Sequence, residues 1–401
     1  MGKYIHLFSA ATDFNVAYKG DAYNEPWVSL TEEGEKVNYN KSEEEKRREE
    51  RARMKKKYLT FEGIGDGAVV LETDTVYVNR TIQYRKNGGE WKSISAATNG
   101  QITGHAITFG PGTIIELKAD NNYYGYTITE SSGNETFMGQ SFKPYGTGTC
   151  KVYGNIMSLC NSTDFENLKF SDVVGSGDSA FIGLFESCYT ITDASMLILP
   201  EDTGTRCYAG LFYGCTGLTA APELPATVLS KECYRSMFRK CTNLMKVPGL
   251  EHVTAISSSC CRSMFMQCTN ITEPTEISVT TLANQCYESM YMASGIKRAP
   301  VLPATVMAQS CYEKMFAGCT ALTSGPLLHA PILKTRCYFG LFSGCTGLSE
   351  IKCLATDISA NNSTAYWTYG VGGTGRFTRA AGTEWTTGIN GIPDGWTVVD
   401  V

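Results

Sequence analysis

From residue 180 onward the apolar positions recur with a period near 26, which is neither the period of a helix nor that of a strand. The pattern Cys-Tyr-x-x-Met-Phe-x-x-Cys-Thr-x-Leu reads CYAGLFYGCTGL from Cys207, CYRSMFRKCTNL from Cys233, CYEKMFAGCTAL from Cys311 and CYFGLFSGCTGL from Cys337. Degenerate copies start at Cys260 and Cys286, and a first copy starts at Ala180; successive starts are 27, 26, 27, 26, 25 and 26 residues apart. The fifth place is Leu or Met throughout, the sixth is Phe except at Tyr291, and a later aliphatic column runs from Ile191 to Leu348. A second column lies four residues before the leading place, from Leu229 to Leu333. Each copy carries an apolar set too small to bury itself, and stacking the copies buries the sets as continuous ladders. At a strand spacing of about 4.8 Å, the stack predicts a rod roughly 35 Å long.

Upstream, residues 58–149 contain alternating runs such as YLTFEGI, TVYVNRTIQYRKNGGEWKSI and TIIELKA, with Asn87-Gly88-Gly89 as a hairpin turn. This predicts a β-sandwich or similar compact β domain. GNIMSLC, from Gly154, opens the repeat region, and residues 356–401 with Trp367, Trp385 and Trp396 close it, because each end of a stack exposes strand edges and apolar ladders. Residues 41–57 have strong helix propensity but only Ala52 and Met54 as apolar side chains, so they have no face to bury. Glu44 with Arg48 and Glu49 with Arg53 are favourable i,i+4 pairs. A solvated spacer is one reading; contact of the basic end (Arg53, Lys55, Lys56, Lys57) with nucleic acid or a capsid surface is the other. In residues 1–40, Tyr4, Ile5, His6, Leu7 and Phe8 form one short extended segment and residues 26–30, with Trp27, another. Forty residues are too few for an independent core. They are read either as an anchor that orders on a larger assembly or as a β-cap on the next domain. The fold class expected is thus mainly β: anchor, charged helix, β-sandwich-like domain, then a repeat solenoid (150–355) with its cap.

Charge and chemistry narrow the function. A net charge of −5 gives no general electrostatic reason to bind nucleic acid. No stretch is long and apolar enough to span a membrane, and the opening MGKYIHLFSAATDF has no signal-peptide core, so export by the usual route is not expected. His6 stands where a myristoylation motif wants Ser or Thr. The sixteen cysteines follow the repeat. Disulfides, metal ligation and packing are the readings open to them. Ala180 and Ser294 interrupt the pairs and no histidines accompany them, which favours thiols packed in tight buried columns. His6, His105, His252 and His329 form no HExxH arrangement, and no GxSxG elbow or phosphate loop is present. Asp and Glu are scattered, so a convergent pair is a question for the structure. No catalytic, cofactor or metal site is expected.

The repeats, with APELPATVL (from Ala221) and its near-copy APVLPATVM (from Ala299), resemble the BspA-like leucine-rich repeats of Bacteroides, and the ending from Ile351 through WTTGINGIPDGWTVVD resembles that group's closing segment. The resemblance covers roughly residues 150–401 and implies a right-handed solenoid with one short strand per coil, used for recognition of proteins or surfaces. The opening KYIHLFSAATDFNVAYKGDAYNEPWVSL is similar to N-termini of virion proteins of Bacteroides phages, including crAss-like phages. Together the resemblances imply a virion structural protein, a head fibre or other surface appendage. Its partners would be other virion proteins through Tyr4–Phe8 and Trp27, and a host-surface protein or glycan through the solenoid; a homo-oligomer is expected. A BspA-like cell-surface adhesin and an intracellular interaction scaffold are the alternatives. Aromatics that could contact a glycan are Tyr123, Tyr124 and Tyr126, and Tyr366, Trp367 and Tyr369, with burial in a core as the competing reading.

Overall fold

The computed structural model describes residues 28–30, 36–38, 42–72, 81–95, 104–120, 127–131, 134–138, 143–173 and 179–401. The protein is mainly β and divides into two units, Met1–Arg53 and Met54–Val401. In the first, β1 (Val28–Leu30) pairs antiparallel with β2 (Lys36–Asn38). The helix α1 (Glu43–Lys55) follows, with its last two residues, Met54 and Lys55, belonging to the second unit, and none of its residues is buried. Its start is a reciprocal capping box: the Ser42 amide donates to Glu45 Oε2 at 2.8 Å and the Glu45 amide donates to Ser42 Oγ at 3.1 Å. The expected Glu44–Arg48 pair forms at 2.5 Å. Residues 4–8 and Trp27 lie outside the described residues.

The second unit opens with a two-sheet β domain. Its strands are β3 (Leu59–Gly63), β4 (Gly67–Glu72), β5 (Thr81–Lys86), β6 (Lys92–Ser95), β7 (His105–Phe109), β8 (Ile114–Ala119), β9 (Thr127–Ser131), β10 (Asn134–Met138), β11 (Lys143–Thr147) and β12 (Cys150–Asn155). One sheet runs β12-β3-β8-β5-β6 and another β11-β4-β7, while β9 and β10 form a separate hairpin. Leu59, Phe61, Ile115 and Leu117 of the first sheet and Val69, Leu71, Ile107 and Phe109 of the second are buried in one core. The turn after β5 takes left-handed angles at Asn87 (φ 51°) and Gly88 (φ 68°), as a tight hairpin requires.

Strand β12 joins this domain to the repeats. It pairs antiparallel with β3 on one side and parallel with β13 (Ile191–Asp193) and β14 (Leu197–Ile198) of the first coil on the other. The joint is locked by two buried polar residues. Asn155 Nδ2 donates to the Lys55 and Phe165 carbonyls (3.1 and 3.0 Å), and its Oδ1 accepts the Met157 amide at 3.0 Å. Ser158 Oγ accepts the Leu59 amide (2.9 Å) and donates to the Leu117 carbonyl (3.3 Å). Gly154 (φ 85°) passes so close to Tyr58 that a Cβ there would sit 2.1 Å from its carbonyl oxygen. Only glycine fits at that crossing.

The repeats stack coil on coil, each coil with two walls. The strand wall carries short parallel pairings: β15 (Val228–Leu229) with β16 (Ala255–Ile256), then single bridges, and finally the parallel sheet of β17 (Ser324–Leu328), β18 (Glu350–Cys353), β19 (Arg376–Arg379) and β20 (Thr397–Asp400). The other wall holds the Cys-Tyr-x-x-Met-Phe segments and is neither helix nor strand. Its amides alternate between two kinds of bond. Tyr208, Gly210, Phe212 and Gly214 donate to carbonyls of the next coil at 2.8–3.0 Å, and Ala209, Leu211, Tyr213 and Cys215 donate three residues back within their own coil. Every fourth residue is left-handed, as at Arg206, Gly210 and Gly214 or Ser310, Lys314 and Gly318. A left-handed residue at that interval undoes the winding of the preceding turn, so the segment advances straight across the coil and exposes alternate amides to its neighbour.

Inside, the sixth-place rings from Phe185 to Phe342 form an unbroken series that other aromatic rings extend at both ends. Phe61 of the β domain meets Phe185, followed by Phe212, Phe238, Phe265, Tyr291, Phe316, Phe342, Trp367 and Trp385, with successive centroids 5.1–6.2 Å apart. The β domain thus covers the first coil and Trp385 the last. The closing segment is narrower than residues 356–401: Ser363 lies 26 residues after Cys337 and Trp367 takes the place of Leu341, so residues 362–370 are a further coil. The cap proper is the loop around residues 385–392. It accepts the outward amides of that coil, Tyr366 to Asn390 Oδ1 (2.8 Å) and Thr368 to the Ile389 carbonyl (3.3 Å).

Candidate binding surface

Outward side chains of the turn wall make an ion ladder. Glu232 accepts from Arg206 (3.0 Å) and Arg235 (3.1 Å), Glu288 lies 3.3 Å from Arg262, and Glu313 accepts both nitrogens of a bidentate Arg336. Burial is the main cause of a lowered Arg235 pKa, about 10, with Arg262 adding and Glu288 opposing. Glu288 is raised, again chiefly by burial. Glu288 and Glu313 lie in adjacent coils, and each pairs with an arginine of a neighbouring coil, Arg262 and Arg336, so both ion pairs tie one coil to the next.

The strand wall presents the opposite chemistry. Two adjacent exposed columns run Thr227, Thr254, Thr280, Thr305, Pro331 and Val228, Ala255, Thr281, Val306, Ile332, with no charged side chain in either. Val228, Val306 and Ile332 are more than half exposed (57, 53 and 51%). The backbone beneath is stitched by Thr254 donating to the Thr227 carbonyl (2.8 Å) and Thr305 to that of Thr280 (3.1 Å). Sequence reasoning missed this surface, although its signal was present: the ATV of both APELPATVL and APVLPATVM places an exposed Thr-Val pair just before the buried Leu229 and Met307.

Of the aromatics singled out from the sequence, Tyr123, Tyr124 and Tyr126 lie outside the described residues. Trp367 is fully buried, its Nε1 donating to the Gly391 carbonyl at 2.8 Å, so it contacts no ligand. It sits in the fifth-place column, which faces the core. Tyr366 and Tyr369 flank it and point outward, 52 and 58% exposed. The basic end of α1 is less free than its sequence suggests: Lys55 lies 3.4 Å from Glu201 and Lys56 3.7 Å from Glu166.

All sixteen cysteines are buried free thiols. The ninth-place thiols have a specific partner: Cys215, Cys241, Cys268, Cys319 and Cys345 donate to the sixth-place carbonyl of the preceding coil at 2.9–3.0 Å. Burial pushes Cys150 and Cys337 up to about 11 and Cys160 and Cys353 to about 12. Such thiols are poor nucleophiles and poor metal ligands at neutral pH. Among the described residues no group of three or more His, Cys, Asp or Glu is placed to hold a metal ion, and no helix is long and apolar enough to cross a membrane. Comparison with protein-family models, with curated proteins and with solved structures returns no match.

Proposed function

We propose that this protein is a non-enzymatic structural component of a Bacteroides phage particle, a head fibre or other surface appendage. Its N-terminal segment attaches it to other virion proteins, the exposed charged helix acts as a spacer, and the coil stack is a BspA-like leucine-rich-repeat solenoid presented to the host surface. The observation that carries this reading is the uninterrupted ring series from Phe61 to Trp385. It makes a long, packed scaffold whose outer columns are free to vary, which is what a recognition surface needs. The virion assignment itself is supported by the likeness of the N-terminal opening to phage virion proteins. Appendages of this kind are symmetric oligomers, so a homo-oligomer is expected.

Quantitative mass spectrometry of purified particles from a phage encoding this chain, set against the host envelope fraction, tests the proposal. Recovery at stoichiometric level in the particles is expected. Recovery in the envelope alone would overturn the virion assignment in favour of a bacterial adhesin.

A further inference from the structure

We infer that Tyr366 and Tyr369 form a stacking platform for a pyranose-rich cell-surface polysaccharide; this rests on the host-binding role proposed above and names its ligand and site. The two residues lie on one turn, closed by the Tyr369 amide donating to the Tyr366 carbonyl at 3.2 Å. A turn so closed brings their Cα atoms within about 7 Å. The residues between them, Trp367 and Thr368, are buried, so both phenols face outward.

Residue type and exposure set this place apart from the rest of the turn wall. In the seven preceding coils the position of Tyr366 is Gly183, Gly210, Ser236, Ser263, Ser289, Lys314 and Gly340, all small or flexible side chains. Tyr366 nevertheless has φ 56°, a left-handed conformation that disfavours a bulky aromatic. Its backbone is held there by Asn390 while its ring, 52% exposed, gains little burial in return. The left-handed angle is the one every coil takes at this place; what is particular here is a large, exposed aromatic side chain where the other coils carry small or flexible ones.

The surroundings specify the ligand class. Phe339 meets the Tyr366 ring edge-on at 5.8 Å and extends the aromatic surface. Arg336 lies 3.9 Å and Lys314 5.7 Å from the Phe339 ring, and Asn390 is exposed beside Tyr366. A pyranose has a face of C–H bonds that stacks on an aromatic ring and an equator of hydroxyls that takes hydrogen bonds from amide, phenol and cationic donors. Flat rings with a polar rim match both halves. A protein hot spot would call for a deeper, desolvated pocket.

The test uses the full chain and Bacteroides cells in three states: untreated, oxidised with periodate to cleave sugar diols, and treated with protease. Periodate should abolish binding and protease should leave it. Tyr366→Asn combined with Tyr369→Ser should weaken binding roughly tenfold or more. Tyr366→Asn alone, which suits the left-handed backbone, should leave the thermal midpoint unchanged or higher. Wild-type binding that the double variant retains would overturn the platform while leaving the host-binding role intact. Binding lost to protease but not to periodate would overturn the glycan. A midpoint that falls in Tyr366→Asn as far as in a core deletion would make the ring structural. If the unaltered chain binds no cells, the host-binding role fails together with the platform.

Discussion

The two walls of each coil are held together by different means. On the turn wall, alternate amides bond the next coil and the rings beneath run from Phe185 to Phe342 without a gap. Across the middle coils the strand wall is thinner, reduced to single bridges such as Leu250 with Ile277 and Thr281 with Val306, and it thickens into a sheet only from β17 onward. Cohesion is therefore concentrated on one side of the coil, and the exposed Thr-Val columns on the other can vary without unstacking it. The Tyr366–Tyr369 turn borrows from both: it is part of the cohesive wall yet carries exposed side chains.

The sharpest break of this comparison is Phe265→Ala, in the middle of the ring series, which should cost about 3–5 kcal/mol in urea denaturation. Val306→Ala on the exposed column should change stability by no more than about 0.5 kcal/mol. Next in size is Asn155→Leu at the joint, which strips three hydrogen bonds, two of them buried, and leaves the buried Met157 amide without its side-chain acceptor; about 2–3 kcal/mol is expected, read as loss of the shared unfolding transition of domain and stack. The thiols give a pH signature. Their pKa values are raised in the folded chain, to about 11 at Cys150 and Cys337, above the ordinary value near 8.5. The folded state thus holds protons that the unfolded state releases. Stability should be intact below about pH 8.5 and fall as pH climbs toward 11, measurable as a declining thermal midpoint. The smallest effect concerns the second-place column, where Cys261 interrupts stacked tyrosines: Tyr208 with Tyr234 (6.0 Å) on one side and Tyr287 with Tyr312 (5.9 Å) on the other. Cys261→Tyr should complete the stack and add about 0.5–1.5 kcal/mol.

Much of the stack was legible because burial leaves a periodic trace. Phe238 and Leu244 recur at fixed offsets, and their columns alone placed the core. The form of the turn wall was not legible. Its left-handed positions hold Arg206, Glu232, Gln285 and Ser310 as readily as glycine, so no residue type marks them, and the constraint lies in bonds between coils that no single segment reveals. The partner of the ninth-place thiols was hidden for the same reason: it is a carbonyl one coil away. Trp367 misled because a tryptophan beside two tyrosines reads as an aromatic patch, whereas the 26-residue register, extended one coil further, puts it in the core. For the candidate surface, sequence supplied Tyr366 and Tyr369 as names but not their outward direction, and it left the Thr-Val columns unnoticed.

Residue-resolved hydrogen exchange of the intact chain tests the division between the walls most directly. The amides of Phe212, Phe238 and Phe265, bonded from coil to coil, should exchange only through global unfolding, and those of Thr254 and Thr305 on the strand wall should open locally and exchange faster by at least one order of magnitude. Equal protection on both walls, or faster exchange at the phenylalanines, would contradict the account.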